Sequence, residues 1–318
     1  MMNIDQTLKN AASLFGLKVR TVRRDIEIAG SPERCELRFV IQDTNDFLYV
    51  IESIFEEDIE HKQKIIKTLD FLYQAGLYGV TPYMKGRNGE RVVRFDNRSW
   101  QLTRYINGVS LDRPSYVFDK WRGEVLAGFL IDLREKSRAI PFFDRTAPFS
   151  LKQYIRTLLI QIGRYEPERL TDIQPVVEFL EKRFMNIHDR LPVAFCHGDY
   201  HPLNIIWGSD HIRAVIDWEF LGYKPELYDA ANLIGCIGVE EPSSLSGELV
   251  LAFIRRLKQD KGISDFSWRY LVEFVIAMRF AWLSEWLRHK DTQMIELETV
   301  YMNLLVSRSD FLKQAWGC

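Results

Sequence analysis

Paired cysteines, a surplus of one charge and any long apolar run are all missing from this 318-residue chain. Its four cysteines, Cys35, Cys196, Cys236 and Cys318, stand far apart and form no paired-spacing motif. That argues against a disulfide framework and against a structural zinc site of the usual kind. Lys and Arg number 42 against 44 Asp and Glu, so the formal net charge of −2 leaves no global basic field for nucleic acid or an anionic membrane. No run approaches the roughly 20 apolar residues that cross a bilayer. The opening MMNIDQTLKN lacks the basic-then-apolar pattern of a secretory leader. The expectation is a reduced, cytoplasmic, soluble protein with no nucleic-acid or membrane partner, its oligomeric state open.

Hydrophobic periodicity divides what is present into two parts. Residues 3–17 read as a short amphipathic helix, followed by strand-like stretches at 19–26, 35–42 and 47–54. The DTND between the last two is a turn signal, so they form a hairpin. Residues 57–75 switch to a helical period, with Ile59, Ile66, Leu69 and Tyr73 on one face and Gly76 as the stop. Strands at 91–96 and 99–106 end at Asn107-Gly108. Beyond lie helical patterns at 119–137, 150–165 and 172–189, a short strand-rich insert, the run at 211–220 and long helices over most of 226–317. The spacing predicts a domain over 1–107 ending in a hinge and a larger helical domain over 108–318. Two-part chains of this kind often take a ligand between the parts.

The insert holds the stretch CHGDYHPLNIIW at 196–207, which admits two chemistries. His197, Asp199 and His201 alternate, so on an extended strand they could share a face and ligate zinc, as in a metal-dependent hydrolase. Gly198 and Pro202 interrupt such a strand. Alternatively, the run IIWGSDHIRAVI folds as two short strands that return the chain to Asp217, beside Asn204. A carboxylate and an amide oxygen suit Mg²⁺, and Asp199 supplies the separate carboxylate that phosphoryl transfer uses to orient a hydroxyl.

HGDYHPLN followed by VIDWE and YDAANL resembles the catalytic loop and metal-binding segment of the aminoglycoside phosphotransferase and choline kinase-like family. These are small-molecule kinases with a protein-kinase-like fold. The resemblance implies an α+β, two-lobed architecture with a small antiparallel-sheet N-lobe for nucleotide and a large, mainly helical C-lobe. It implies a phosphotransferase that moves the γ-phosphate of ATP or GTP to a hydroxyl of a small molecule with Mg²⁺. Carried over residue by residue, Asp199 is the catalytic base and Asn204 and Asp217 hold the metal. His197 and Asp229 support the loop. Thr103, Tyr105 and Ile106 lie in the stretch that resembles the purine-binding hinge, and Gly30 and Ser31 in the turn that meets the phosphates.

One strand departs from the family, which places there a lysine that pairs the nucleotide phosphates with a helix glutamate. FLYVIESI puts Glu52 at that position. A carboxylate 4 Å from a phosphate charge is repelled by roughly 4 kcal/mol at an effective dielectric of 20. Either the pair is exchanged, with Lys64 the first choice among Lys62, Lys64 and Lys67 as partner of Glu52, or Arg38 on the neighbouring strand meets the phosphates. The same departure motivates a rival reading, a nucleotide-binding regulatory protein with little catalysis. On the acceptor side, Tyr200, Glu219, Tyr223, Trp282, Glu285 and Trp286 are the candidates. An aromatic and acidic wall suits a cationic acceptor; a packed core leaves a neutral hydroxyl substrate such as a sugar or amino alcohol.

Overall fold

The computed structural model describes residues 4–318. In chain order it runs α1 (Ile4–Leu14), β1 (Val19–Arg23), β2 (Leu37–Asp43), β3 (Leu48–Ile54), α2 (Ile59–Gln74), β4 (Val93–Phe95) and β5 (Arg98–Arg104). There follow α3 (Lys120–Lys136), α4 (Leu151–Tyr165), α5 (Glu168–Arg183), β6 (Val193–Cys196), β7 (Ile205–Trp207), β8 (Ile212–Val215) and β9 (Gly222–Pro225). The chain ends in α6 (Tyr228–Glu240), α7 (Glu248–Asp260), α8 (Asp265–Trp268), α9 (Leu271–His289), α10 (Thr292–Ser307) and α11 (Ser309–Trp316). Two compact units result. The first takes residues 1–110 with 139–142 and 203–219; the second takes 111–138, 143–202 and 220–318.

In the first unit the five strands pair antiparallel in the order β1-β2-β3-β5-β4. Alternation decides what each face carries. Ile41, Tyr49, Ile51, Trp100 and Leu102 point to the face that α1 covers with Leu8, Ala11, Ala12 and Phe15. The residues between them point the other way, and there Arg38, Glu52 and Gln101 stand side by side on β2, β3 and β5. The β2–β3 turn closes as its DTND signal implies, with the Asp43 carboxylate accepting from the amides of Asn45 and Phe47 at 2.9 Å. The β7–β8 hairpin joins this unit through backbone bonds: Val109 N donates to Trp207 O and Val215 N to Gly79 O.

Helix α2 is where the expected pattern is out of phase. Its buried stripe is Lys62, Ile65, Ile66, Leu69 and Leu72, whereas Tyr73 is exposed. The spacing 62, 65, 66, 69, 72 is the regular apolar stripe, with a lysine occupying its first position.

The second unit is a helical core. Gly123 lets α3 approach the backbone of α7 at Leu249. Helix α6 is buried from Tyr228 to Gly238, and α9 from Leu271 to Phe280. Phe274 sits edge-on to both Phe184 and Tyr228. Arg279 and Glu298, each 1% exposed, form a forked pair at 2.6 Å that satisfies both charges. Two boundaries differ from the sequence reading. Helix α5 starts directly after Pro167, a residue type suited to a helix start, rather than at 172. The strand expected at 211–220 ends at Val215, because Asp217 takes a left-handed φ of 60° and a 3-10 turn, Trp218–Phe220, follows. The result is the expected α+β, two-lobed architecture.

Candidate active site

The loop after β6 is built by backbone capture. Asp229, in the first turn of α6, accepts from His197 N at 2.7 Å and Gly198 N at 2.8 Å. Gly198 has φ 88°, and a Cβ there would run into the carbonyl of Phe220, so the turn requires glycine. The His197 ring is fully buried, and its Nδ1 accepts from Asp199 N at 3.2 Å. The backbone of Asp199 is thereby fixed from two sides.

This geometry removes the zinc reading. The loop is a tight turn, not the extended strand on which alternate residues share a face. Cys196 Sγ turns towards the carbonyls of Ala194 and Pro225, and burial pushes its thiol well above its ordinary range. Among the described residues Cys196, His197, Asp199 and His201 do not converge on one point. His201 instead lies 3.6 Å from Asp199 Oδ1 and edge-on to Trp282.

Asp229 is buried and its carboxyl is pushed up to about 6, above all by desolvation. The two amide bonds and Lys224 pull it down, and Asp199 pushes it up further. Lys224 was missed by the sequence reading. It is buried on β9, runs past Gly198, and its ammonium lies over the rings of Phe149 and Tyr228 at 4.6 and 4.9 Å. Burial lowers its pKa. Its signal in the sequence was alternation, since Lys224 shares a strand face with Gly222 at the loop.

In the first unit the β7–β8 ladder pairs Ile205 with Val215, and Ile216 N donates to Asn204 O at 3.0 Å. The ends of the hairpin, which carry Asn204 and Asp217, therefore lie together. Asp217 Oδ2 accepts from Ser31 N at 2.8 Å, and a Cβ on Gly30 would meet Asp217 Oδ1 at 2.8 Å. Gly30 takes φ 92°. The Gly30-Ser31 turn thus lies directly on the Asp217 carboxylate. Along β5, Thr103 pairs with Val50, Tyr105 N donates to Leu48 O, and Ile106 follows just past the ladder. The Tyr105 amide is engaged within the sheet and is not a purine donor.

Glu52 does not pair with Lys64. Lys64 lies on the exposed side of α2 and pairs with Glu60 one turn away. Glu52 is flanked by its cross-strand neighbours: Arg38 Nε approaches Oε1 at 2.9 Å as an ionic contact, and Gln101 Nε2 donates to Oε2 at 2.6 Å. Arg38 also donates to the carbonyls of Ala29 and Gly30, at 2.8 and 3.2 Å, so it ties Glu52 to the Gly30 turn. The lysine that enters the interior is Lys62, 3% exposed, whose ammonium pairs with Glu219 Oε1. Tyr83 sits among Glu52, Glu219, Asp217 and Arg38, and burial with the three carboxylates raises its phenol well above the ordinary range.

Three of the acceptor candidates have partners of their own. Tyr200 is fully buried, stacked on Phe129 and hydrogen-bonded to Leu126 O at 3.0 Å, so it is core. The Glu219 carboxylate is held by Lys62 on α2. Tyr223 alternates with Lys224 and points to the opposite face of β9, beside Arg145 and edge-on to Phe195. Trp282 and Trp286 do stand together, with centroids 5.8 Å apart, and Trp282 Nε1 donates to Asn232 Oδ1 at 3.0 Å. Glu285 is occupied by Arg288 and His289, and the Arg288 hydrogen bond lowers its pKa.

Comparison with known proteins bears on this geometry. The profile of the phosphotransferase enzyme family matches residues 38–269. The chain is 25% identical over 254 residues to homoserine kinase of Methylobacillus flagellatus, spanning 76% of this chain and 73% of that one. Its fold is similar to that of an aminoglycoside phosphotransferase from Alicyclobacillus acidocaldarius, with TM-score 0.64, 15% identity and coverage of 100% and 97%. It is likewise similar to choline kinase LicA from Streptococcus pneumoniae, with TM-score 0.62, 18% identity and coverage of 95% and 98%.

Proposed function

This chain belongs to the phosphotransferase enzyme family, the aminoglycoside phosphotransferase and choline kinase-like small-molecule kinases, and from that premise we propose that it moves the γ-phosphate of ATP or GTP to a hydroxyl of a small molecule with Mg²⁺. The observation that carries the reading is the doubly captured loop, in which Asp229 and His197 fix the backbone of Asp199. A general base works only from a fixed position within reach of the proton it takes. In this reading Asp199 orients the acceptor hydroxyl and accepts its proton, while His197 and Asp229 hold the loop. The first unit, 1–110 with 139–142 and 203–219, carries the nucleotide, and the second carries the loop and acceptor pocket.

The residues fit Mg²⁺. Asn204 and Asp217 offer hard oxygen donors from adjoining ends of one hairpin, and neither brings the nitrogen or sulfur that zinc prefers. The ion supplies charge neutralisation of the transferred phosphoryl group. Gly30 and Ser31 form the turn that meets the phosphates, and Thr103 and Ile106 flank the purine. The acceptor wall is Trp282 and Trp286. Because Glu285 is already engaged by Arg288 and His289 and Arg279 lies over the Trp282 ring at 5.6 Å, a neutral hydroxyl compound such as a sugar suits it better than an amine or quaternary ammonium. The rival regulatory reading loses its motive, since Arg38 neutralises Glu52. No described helix is long and apolar enough to cross a membrane, and the setting proposed for the enzyme is the cytoplasm.

Asp199→Asn tests this. Turnover should fall by a factor on the order of 10² to 10⁴, the usual worth of a general base, with nucleotide affinity unchanged. Equal loss of both would give Asp199 another role. A screen of hydroxylated amines, sugars and aminoglycosides for acceptor-dependent ADP or GDP release identifies the acceptor class.

A further inference from the structure

Buried lysines are rare because desolvating an ammonium is expensive, and they persist where a partner or a task holds them. Lys62 occupies the first position of the apolar stripe of α2, where Ile or Leu would pack without that cost. Its ammonium donates to Glu219 Oε1. An ammonium has three N–H donors, and a single carboxylate oxygen uses one. Glu219 follows Asp217 by two positions, on the 3-10 turn Trp218–Phe220, so the pair fixes the Lys62 ammonium at the turn that begins on Asp217. Cys35 records the same grouping, since its thiol is pushed up to about 12 by burial and by Glu52, with Arg38 and Lys62 pulling it down.

The other cation here is already tied into the protein at three points. Arg38 contacts Glu52 and the carbonyls of Ala29 and Gly30, so its guanidinium is distributed over the strand and the turn. Gln101 takes the second Glu52 oxygen. Glu52 has thus become part of the support for the Gly30 turn, acting through Arg38. Lys62, 3% exposed, is the more buried of the two cations, and only one of its three ammonium donors is taken by Glu219.

Resting on the functional reading above, we propose that Lys62 of helix α2 is the cation this chain presents to the nucleotide phosphates, held in place by Glu219, in the role for which strand position 52 has no lysine. Binding adds a partner: phosphate oxygens take the Lys62 donors that Glu219 leaves open. No covalent step is involved.

The test is calorimetric titration of wild type, Lys62→Gln and Lys62→Arg with MgATP, MgGTP and the matching nucleosides. For the nucleotide that wild type binds, Lys62→Gln should raise Kd at least 30-fold, leave nucleoside Kd within 2-fold, and Lys62→Arg should recover most of the loss. Retained nucleoside binding also reports that the variant is folded. If Lys62→Gln binds the nucleotide within 3-fold of wild type, the proposal falls and the functional reading stands. Parallel losses for nucleotide and nucleoside in a folded variant would also overturn it, since the lysine would then support the fold rather than meet phosphate. If wild type binds neither nucleotide, the functional reading itself falls, and this inference with it.

Discussion

Asp229 on the one hand, and Glu52 with Glu219 on the other, are carboxylates compensated by different means. In the second unit Asp229 is held by backbone amides of its own loop, with no ion-pair partner among the described residues. In the first, Glu52 and Glu219 are held by the side-chain cations Arg38 and Lys62. Amide dipoles are fixed by the fold, so the Asp229 arrangement is a permanent brace. An ammonium held by one carboxylate oxygen keeps donors for a new oxygen, so the Lys62 arrangement can take a further partner. The difference separates a part that positions from a part that binds.

The comparison breaks most visibly at Asp229. Asparagine there keeps one acceptor but turns an NH₂ towards a backbone N–H. An orphaned buried donor costs about 1–3 kcal/mol. Against this, replacing a carboxylate whose pKa is raised from 3.8 to about 6 removes a burial penalty on the order of 3 kcal/mol at neutral pH. The two nearly cancel, so Asp229→Asn should leave the melting temperature within a few degrees of wild type. Turnover should nevertheless fall roughly 100-fold, because a misplaced loop loses its near-attack geometry. A large loss of stability with intact turnover would make Asp229 a purely structural residue.

The same carboxyl gives a pH signature. Its folded pKa exceeds the unfolded value of 3.8, so between pH 4 and 6 the folded chain holds the extra proton. Its contribution to stability therefore falls as pH rises through that window and is flat above it. Activity should move the opposite way, declining as pH drops through about 6 and the brace loses its charge. Rate profiles of wild type and Asp229→Asn would decide, since the variant should lack this limb. A limb of unchanged shape in the variant belongs to another group.

Glu219→Gln sharpens the other half. It leaves a buried ammonium facing an amide, and should destabilise the unliganded protein by about 1–3 kcal/mol. With saturating nucleotide the gap should narrow, because phosphate then replaces the lost charge. Thermal melts with and without MgATP or MgGTP measure this, and an unchanged gap would mean Lys62 does not meet phosphate.

Much of this was legible in the sequence, and the remainder has a physical reason for being hidden. The two-lobed α+β fold followed from periodicity together with the motifs, and the hairpin that returns Asp217 to Asn204 from a Gly-Ser-Asp turn between apolar runs. Distance along the chain favours Lys64 as the partner of Glu52, whereas strand register gives Glu52 the cross-strand neighbour Arg38. Helix phase decides which of Lys62, Lys64 and Lys67 is buried, and the stripe runs through Lys62. Tyr200 and Tyr223 were misplaced for a related reason, since direction off a loop or a short strand depends on neighbours far along the chain. Phe129 stacks on Tyr200 from 71 positions upstream, where no local pattern announces it.

The smallest effect is expected at Glu285, and its smallness is informative. Arg288 and His289 both lie within 3.0 Å of its Oε1, and it is nearly half exposed. A carboxylate so occupied offers an acceptor amine little net charge, and surface pairs of this sort contribute about 0–1 kcal/mol. Glu285→Gln should therefore leave acceptor affinity, read as KM, within about 2-fold of wild type, with kcat intact. The outcome bears on the acceptor, because a cationic substrate held by the tryptophan wall and Glu285 would lose a charge partner in the variant. If an amine acceptor instead bound at least about 10-fold more weakly, a loss beyond what a surface pair supplies, the cationic reading would return and displace the neutral one.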